Sequence, residues 1–328
     1  MELRILSAAD VRRALPMSQA IEVMRSAFGQ LSANQAELPL RTRLQTDKGL
    51  MLFMPAFLKQ SREIGFKMVS IWGDNPGRGL PVIIALAAVV DADTGLPKAI
   101  INGEELTAIR TGAGGGLAAD LLARADAHVV AVFGAGVQAR AQLEAACEVR
   151  RVNEVRLVSR TTVSAEKFAQ EIGQWPKAPA KITLADSPRQ AVAGADIVIA
   201  ATTSTTPVFN GNDLSPGAHI TGVGSYSRTM QEVDEVAVQR CSKIVVDSLQ
   251  AALAEAGDLV IPLEKNLIRK VDIHGELGSL VNGDLPGRES GDEITFFKSV
   301  GVAVQDAAAA NAVLKEAEAQ NLGVVVKL

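Results

Sequence analysis

The spacing of apolar residues changes period along the chain. From residue 7 to 33 it is helical. Ser7 with Asp10 has the form of a capping box, with Asp in place of the usual Glu. A second helix begins at Met17-Ser18-Gln19, with Ile21, Met24, Ala27, Phe28 and Leu31 along one face. The period then shortens. Residues 38–57 and 64–101 read as strands and turns: Met51 to Met54, Gly65 to Val69, and Val82 to Val90. Asn75-Pro76-Gly77 and Asp93-Thr94-Gly95 mark turns between them. Strands that follow helices imply an α+β module with an antiparallel or mixed sheet.

From about residue 121 the pattern becomes an alternation. His128 to Phe133 is a buried strand that runs into Gly134-Ala135-Gly136-Val137-Gln138-Ala139 and an Ala-rich helix over 138–148. Strands follow at 155–159, 182–184, 197–201, 219–223 and 243–247, with a helix near 163–172. Strand–helix alternation of this kind predicts a doubly wound parallel sheet, an α/β fold. The segment from Phe296 to Leu314 reads as one long Ala-rich helix.

Length and composition narrow the function. At ~150 residues per domain, 328 residues make roughly two domains. With 33 basic and 37 acidic residues the net charge is −4, which argues against a nucleic-acid binder. The longest apolar run, Leu80 to Val90, is too short to span a membrane and contains Pro81; it reads as a buried strand. Two cysteines, Cys147 and Cys241, make no disulfide scaffold and suit a reducing compartment. Three scattered histidines and the lack of a CxxC or HExxH spacing leave no metal site. MELRILSAADVRRAL has no apolar signal core, so a cytoplasmic location is expected.

The sharpest local motif is Gly134-Ala135-Gly136-Val137-Gln138-Ala139. Its first Gly permits a tight turn, its second lets backbone approach a pyrophosphate, and its small last residue allows close helix–strand packing. The helix N-terminus then faces the phosphates. At the tip of the next strand stands Ser159-Arg160-Thr161, with no acid to hold the ribose hydroxyls of NAD. A guanidinium there suits a 2′-phosphate, so NADP(H) is expected ahead of NAD(H). Thr202, Thr203 and the Gly222-Val223-Gly224 stretch follow later strands, at the carboxyl edge where such sheets meet their nucleotide. Outside this module stand Arg41, Lys67 and Arg110. Read locally, Lys67 is either a snorkelling edge residue or a catalyst. Arg110, placed before a glycine-rich helix start, is either an anion site or a cap.

Several of these segments, taken in order, resemble the ornithine cyclodeaminase/μ-crystallin family. They are Gly65-Phe66-Lys67, Asn75 to Pro81, Ile109 to Ala113, Val132 to Ala139, Asp272-Ile273-His274-Gly275-Glu276-Leu277-Gly278 and Lys298-Ser299-Val300-Gly301. The resemblance runs from about residue 3 to 328. It implies a Rossmann domain, residues 121–301, inserted into a discontinuous substrate-binding and dimerisation domain, residues 1–120 plus 302–328. By motif, Lys67 matches the family's active-site lysine. Arg110 and Arg41 match its carboxylate-binding arginines, and Thr111 a neighbouring cofactor contact. The cofactor set is completed by Gly134, Gly136, Val137, Gln138, Ser159, Arg160, Thr161, Thr202, Thr203, Val223, Gly224 and Gly301. Ornithine cyclodeaminases carry an aspartate shortly after the glycine pair. Here the stretch is Gly222-Val223-Gly224-Ser225-Tyr226, and Tyr226, the chain's single tyrosine, stands in that place. The resemblance therefore implies a homodimeric NAD(P)H-dependent reductase of a small 2-imino acid or cyclic ketimine, with Tyr226 lining the pocket or donating a proton. The other family activities are reductive amination of a 2-keto acid, cyclodeamination, and non-catalytic binding as in μ-crystallins.

Overall fold

The computed structural model describes residues 1–328. They divide into two compact units: Met1–Arg110 with Val302–Leu328, and Thr111–Gly301. The first division falls inside a helix, ahead of the boundary expected near 120.

The first unit opens with strand β1 (Glu2–Leu6) and helices α1 (Ala8–Ala14) and α2 (Met17–Ser32). Ser7 caps α1 in a reciprocal box with Asp10, as its spacing predicts. Ile21, Met24, Ala27 and Phe28 of α2 are buried, the face that the helical spacing marks. Next come β2 (Ala36–Glu37), β3 (Thr42–Gln45), β4 (Leu50–Leu58), β5 (Glu63–Ile71), β6 (Ile83–Val90) and β7 (Pro97–Asn102). Helix α3 (Gly103–Leu122) begins in this unit, and the C-terminal helix Ala303–Ala319 and strand Val324–Lys327 complete it. The eight strands form one mixed sheet in the order Val324–Lys327, β1, β7, β6, β5, β4, β2, with β3 also on β4. β1 and β7 are parallel, and the other pairs are antiparallel.

Period-two alternation sorts this sheet into two faces. Gly65 and Lys67 of β5, Ala85, Ala87 and Val89 of β6, and Met54 and Ala56 of β4 are buried. Gly65 explains how close the C-terminal helix lies: a Cβ there would stand 3.0 Å from Cα of Ala307. The opposite face carries Phe53, Phe66 and Met68, half-buried, with Ile5, Ile84 and Ile100 exposed.

The second unit holds β8 (Val129–Phe133), β9 (Glu154–Val158), β10 (Lys181–Leu184), β11 (Ile197–Ala200), β12 (His219–Gly222), β13 (Lys243–Val246), β14 (Gly275–Glu276) and β15 (Thr295–Lys298). Helices α4 (Val137–Val149) and α5 (Thr162–Ile172) follow β8 and β9. All pairs are parallel, in the order β10-β9-β8-β11-β12-β15-β13-β14. The first five strands follow the doubly wound order, with the strand order reversing between β8 and β11. The continuous apolar runs of β8 and β11 fit strands buried on both sides.

Three expectations need correction. Phe296 and Phe297 belong to strand β15, and the last helix starts only at Ala303. Gly301 separates them at φ +81°, a conformation that breaks the run. Arg110 does not precede a helix start; it lies inside α3, and the following glycines are helical. They serve packing: a Cβ on Gly112 would strike the carbonyl oxygen of Ala141 at 2.5 Å. The run ending at Val90 is only partly buried, since Ile83 and Ile84 are exposed.

Candidate active site

Three charges meet inside the first unit. Lys67 stands at the middle of β5, flanked by β4 and β6, and is 2 % exposed. A snorkelling edge residue is thereby excluded. Its Nζ donates to Oδ1 of Asp306 at 2.8 Å and to Oγ1 of Thr107 at 3.3 Å. Arg110 lies one helical turn beyond Thr107, and its Nε is 2.9 Å from the same Oδ1. An Nη of Arg110 donates to Oε1 of Gln305 at 2.8 Å, and Gln305 Nε2 donates back to the Arg110 carbonyl at 3.4 Å. Asp306 sits in the first turn of the C-terminal helix and is 1 % exposed. Its Oδ2 has no hydrogen-bond partner.

Two cations thus share one buried oxygen, while the other keeps its lone pairs. Burial lowers the Lys67 pKa most, and the Arg110 charge adds to this. Asp306 opposes both, and Arg41 is near enough to lower it further, leaving Lys67 at about 8. Arg41, half-buried just before β3, therefore belongs to the same electrostatic neighbourhood. Asp306, Gln305 and Thr107 escaped the motif reading. One signal was available: Asp306 is the single charged residue between Lys298 and Lys315 in a long apolar stretch. An isolated acid there has no solvated face to join.

The second unit carries the glycine turn. Gly134 has φ +109°, and a Cβ would meet the Ala201 carbonyl oxygen at 2.4 Å. Gly136 is the N-cap of α4 and provides no side-chain cap; a Cβ there would meet nothing within 4 Å. The space beside this helix N-terminus is therefore open, as a pyrophosphate requires. Ala139 is fully buried, so the third position packs as a small residue should. Val137 is 62 % exposed at the same helix start, and Gln138 Oε1 is buried without a partner. The residues fit a dinucleotide.

At the tip of β9, Arg160 is exposed and Ser159 half-buried. Thr161 caps α5 by accepting from Ser164 N at 3.4 Å, with Ser164 Oγ at 2.7 Å. Its hydroxyl is thus already committed to the helix. After β11, Thr202 is half-buried and Thr203 exposed; after β12, Val223 is buried and Tyr226 is 47 % exposed. The Thr111 carbonyl accepts from Gln142 at 2.8 Å, and Gly301 N donates to Asp247 at 2.7 Å. No group of three or more His, Cys, Asp or Glu side chains is placed to hold a metal ion. No helix is long and apolar enough to cross a membrane.

The model of the ornithine cyclodeaminase/mu-crystallin family matches residues 1–321. The chain belongs to this family. Among its relatives, the Δ1-pyrroline-2-carboxylate reductase of Bacillus cereus is 36% identical over 321 residues, 97% of this chain and 98% of that one. The Thermococcus litoralis Δ1-pyrroline-2-carboxylate reductase, solved with NADH and L-proline, superposes with a TM-score of 0.92 at 37% identity, covering 98% and 99% of the two chains. An archaeal alanine dehydrogenase dimer with bound NAD superposes equally well, TM-score 0.92, at 32% identity over the whole of both chains. Family membership agrees with the Rossmann-like parallel sheet and the separate mixed sheet described above.

Proposed function

We propose that the chain reduces a cyclic 2-imino acid, of the Δ1-pyrroline-2-carboxylate type, to its L-amino acid. Its class is an NAD(P)-dependent oxidoreductase acting on C–N bonds. The observation that carries the substrate reading is the buried Lys67–Asp306–Arg110 cluster with its unpartnered Asp306 Oδ2. A protonated cyclic imine presents one carboxylate and one N–H. Arg110, with Arg41, offers guanidinium forks to the carboxylate. Asp306 Oδ2 is the acceptor for the N–H, and Lys67, its pKa lowered to about 8, is the acid that keeps the nitrogen protonated. A bound nicotinamide dinucleotide supplies hydride to the C=N carbon. Tyr226 stands where ornithine cyclodeaminases carry an aspartate, and it offers no carboxylate to balance a side-chain ammonium.

The test compares kcat/KM for Δ1-pyrroline-2-carboxylate or Δ1-piperideine-2-carboxylate with ammonia release from L-ornithine. Imine reduction is expected to exceed cyclodeamination by roughly a hundredfold or more, the worth of a missing charge partner. Efficient proline formation from ornithine without imine reduction would sink the reading. The likeness to an alanine dehydrogenase supports a second reading, amination of pyruvate. It requires ammonia-dependent NAD(P)H oxidation with pyruvate that outpaces the cyclic imines.

Arg160 at the β9 tip supports a preference for NADPH. Arg160→Asp is then expected to weaken NADPH binding by roughly tenfold, and to favour NADH in comparison. Higher wild-type kcat/KM with NADH would reject this assignment. The apolar second face of the first unit's sheet supports a homodimer, since a face of Ile5, Ile84, Ile100, Phe66 and Met68 is unfavourable in water. Light scattering at micromolar concentration is expected to give twice the chain mass of 34.4 kDa; a monomer would remove the proposal.

A further inference from the structure

Behind the carboxyl edge of the second unit's sheet lies a buried charge cluster to which the motifs assign no role. Glu232 is fully buried. Its Oε1 accepts from the backbone N–H of Thr202, in the loop after β11. Its Oε2 accepts from Gly224 N at 2.6 Å and Ser225 N at 3.0 Å, in the loop after β12. One carboxylate thus joins the loops that leave two adjacent strands. The glutamate is itself fixed. Its own N–H and that of Val233 donate to Oδ1 of Asp258 at 2.6 and 3.1 Å, and Asp258 Oδ2 is 2.8 Å from Nζ of Lys298 at the end of β15. Asp258 and Lys298 are both fully buried.

The packing is as tight as the bonding. A Cβ on Gly224 would stand 2.1 Å from the Thr202 carbonyl oxygen and 2.5 Å from both carboxylate oxygens. In a doubly wound sheet the half that starts beyond the switch point, here β11, β12 and β15, meets the second mononucleotide of the cofactor. The first half, with the Gly134 turn, meets the other. From this juxtaposition we infer that Glu232 is a positioning residue: it sets the spacing of the Thr202 and Gly224–Ser225 loops and thereby forms the nicotinamide half of the dinucleotide site. This inference rests on the dinucleotide-dependent reading above. Three backbone donors converge on Glu232, and a carboxylate accepts all three because it has no hydrogen of its own. A carboxamide cannot. One of its two ends would turn N–H groups toward N–H groups and drive the loops apart.

The test measures binding by the full-length protein, with NADH and with ADP-ribose, which lacks the nicotinamide. Affinities come from titration calorimetry, beside melting temperatures without ligand. Glu232→Gln is expected to weaken NADH by roughly tenfold or more while ADP-ribose stays within about twofold of wild type. Glu232→Asp, which keeps the charge and the acceptors, is expected to recover part of the loss, as a purely steric role would not. Steady-state rates should show KM for NADH rising more than KM for the imine. Equal NADH binding by wild type and Glu232→Gln would overturn this inference and leave the proposed function standing. So would equal loss of NADH and ADP-ribose in both variants, which marks a general folding role. A wild-type protein that binds neither ligand, and does not bind NADPH either, would overturn both.

Discussion

Lys67→Ala is expected to lower kcat for cyclic imine reduction by roughly a thousandfold, within the range of a lost general acid. NADH affinity is expected to stay within about twofold, because Lys67 lies among β4, β5 and β6 and not at the glycine turn. Lys67 and Arg110 share Oδ1 of Asp306, so deleting the lysine leaves a compensated Asp306–Arg110 pair and no orphaned ion. The fold should therefore survive, and Lys67→Met, which keeps the apolar stem, serves as the packing control. Its stability carries a second signature. The Lys67 pKa is depressed to about 8 from 10.5, so between these values the unfolded chain binds more protons. This group's burial penalty is complete below about 8 and is relieved as pH rises toward 10.5. Lys67→Met should abolish that rise in unfolding free energy. Retention of a tenth or more of wild-type kcat in both variants would remove Lys67 from the chemistry.

The cofactor side of this molecule was far more legible than the substrate side. A glycine turn is a local event: strand, Gly134, Gly136 and helix are contiguous, so the sequence displays the whole motif. The Lys67 cluster is assembled from segments far apart in the chain, Lys67 and Asp306 being 239 positions apart. Periodicity has no reach over that distance. Lys67 on its own is ambiguous between a sheet edge and a site, and only the order of strands, with β5 between β4 and β6, decides it. Family resemblance supplied the two arginines and the lysine, but not their counter-ion. The pairing of Glu232, Asp258 and Lys298 was hidden for a similar reason, although Lys298 stands in one of the family segments. Each looks like an ordinary surface charge until the parallel sheet brings the loops after β11 and β12 and the end of β15 together. The misplaced tail helix has a different cause. Phe296 and Phe297 flow into an Ala-rich stretch with no charge to mark a boundary, and the break is carried by backbone conformation at Gly301.

Asp306→Asn is the change that separates the acid from its support. The side chain keeps its shape and one acceptor oxygen, but the charge that holds the Lys67 proton is gone. Asp306 raises the Lys67 pKa while burial, Arg110 and Arg41 lower it. Removing the anion therefore moves that pKa below its present value of about 8, and the ammonium is lost at a lower pH. If the ammonium is the acid, kcat falls as pH rises through the Lys67 pKa. The alkaline limb of the wild-type profile is expected near 8, and that of Asp306→Asn at clearly lower pH. At pH 8 the variant should be slower by roughly a hundredfold or more, and at pH 6, where Lys67 regains its proton, the gap should narrow. The remaining deficit at pH 6 measures the lost acceptor for the imine N–H, because the amide must present either its oxygen or its N–H₂ to Oδ2's former position. The experiment is a kcat profile at saturating imine and dinucleotide from pH 5 to 10. A variant that is equally slow at every pH, with its limb unmoved, would show that Asp306 does not tune Lys67. A lysine that acts only as a fixed charge in place of an acid would then be the better account of the site.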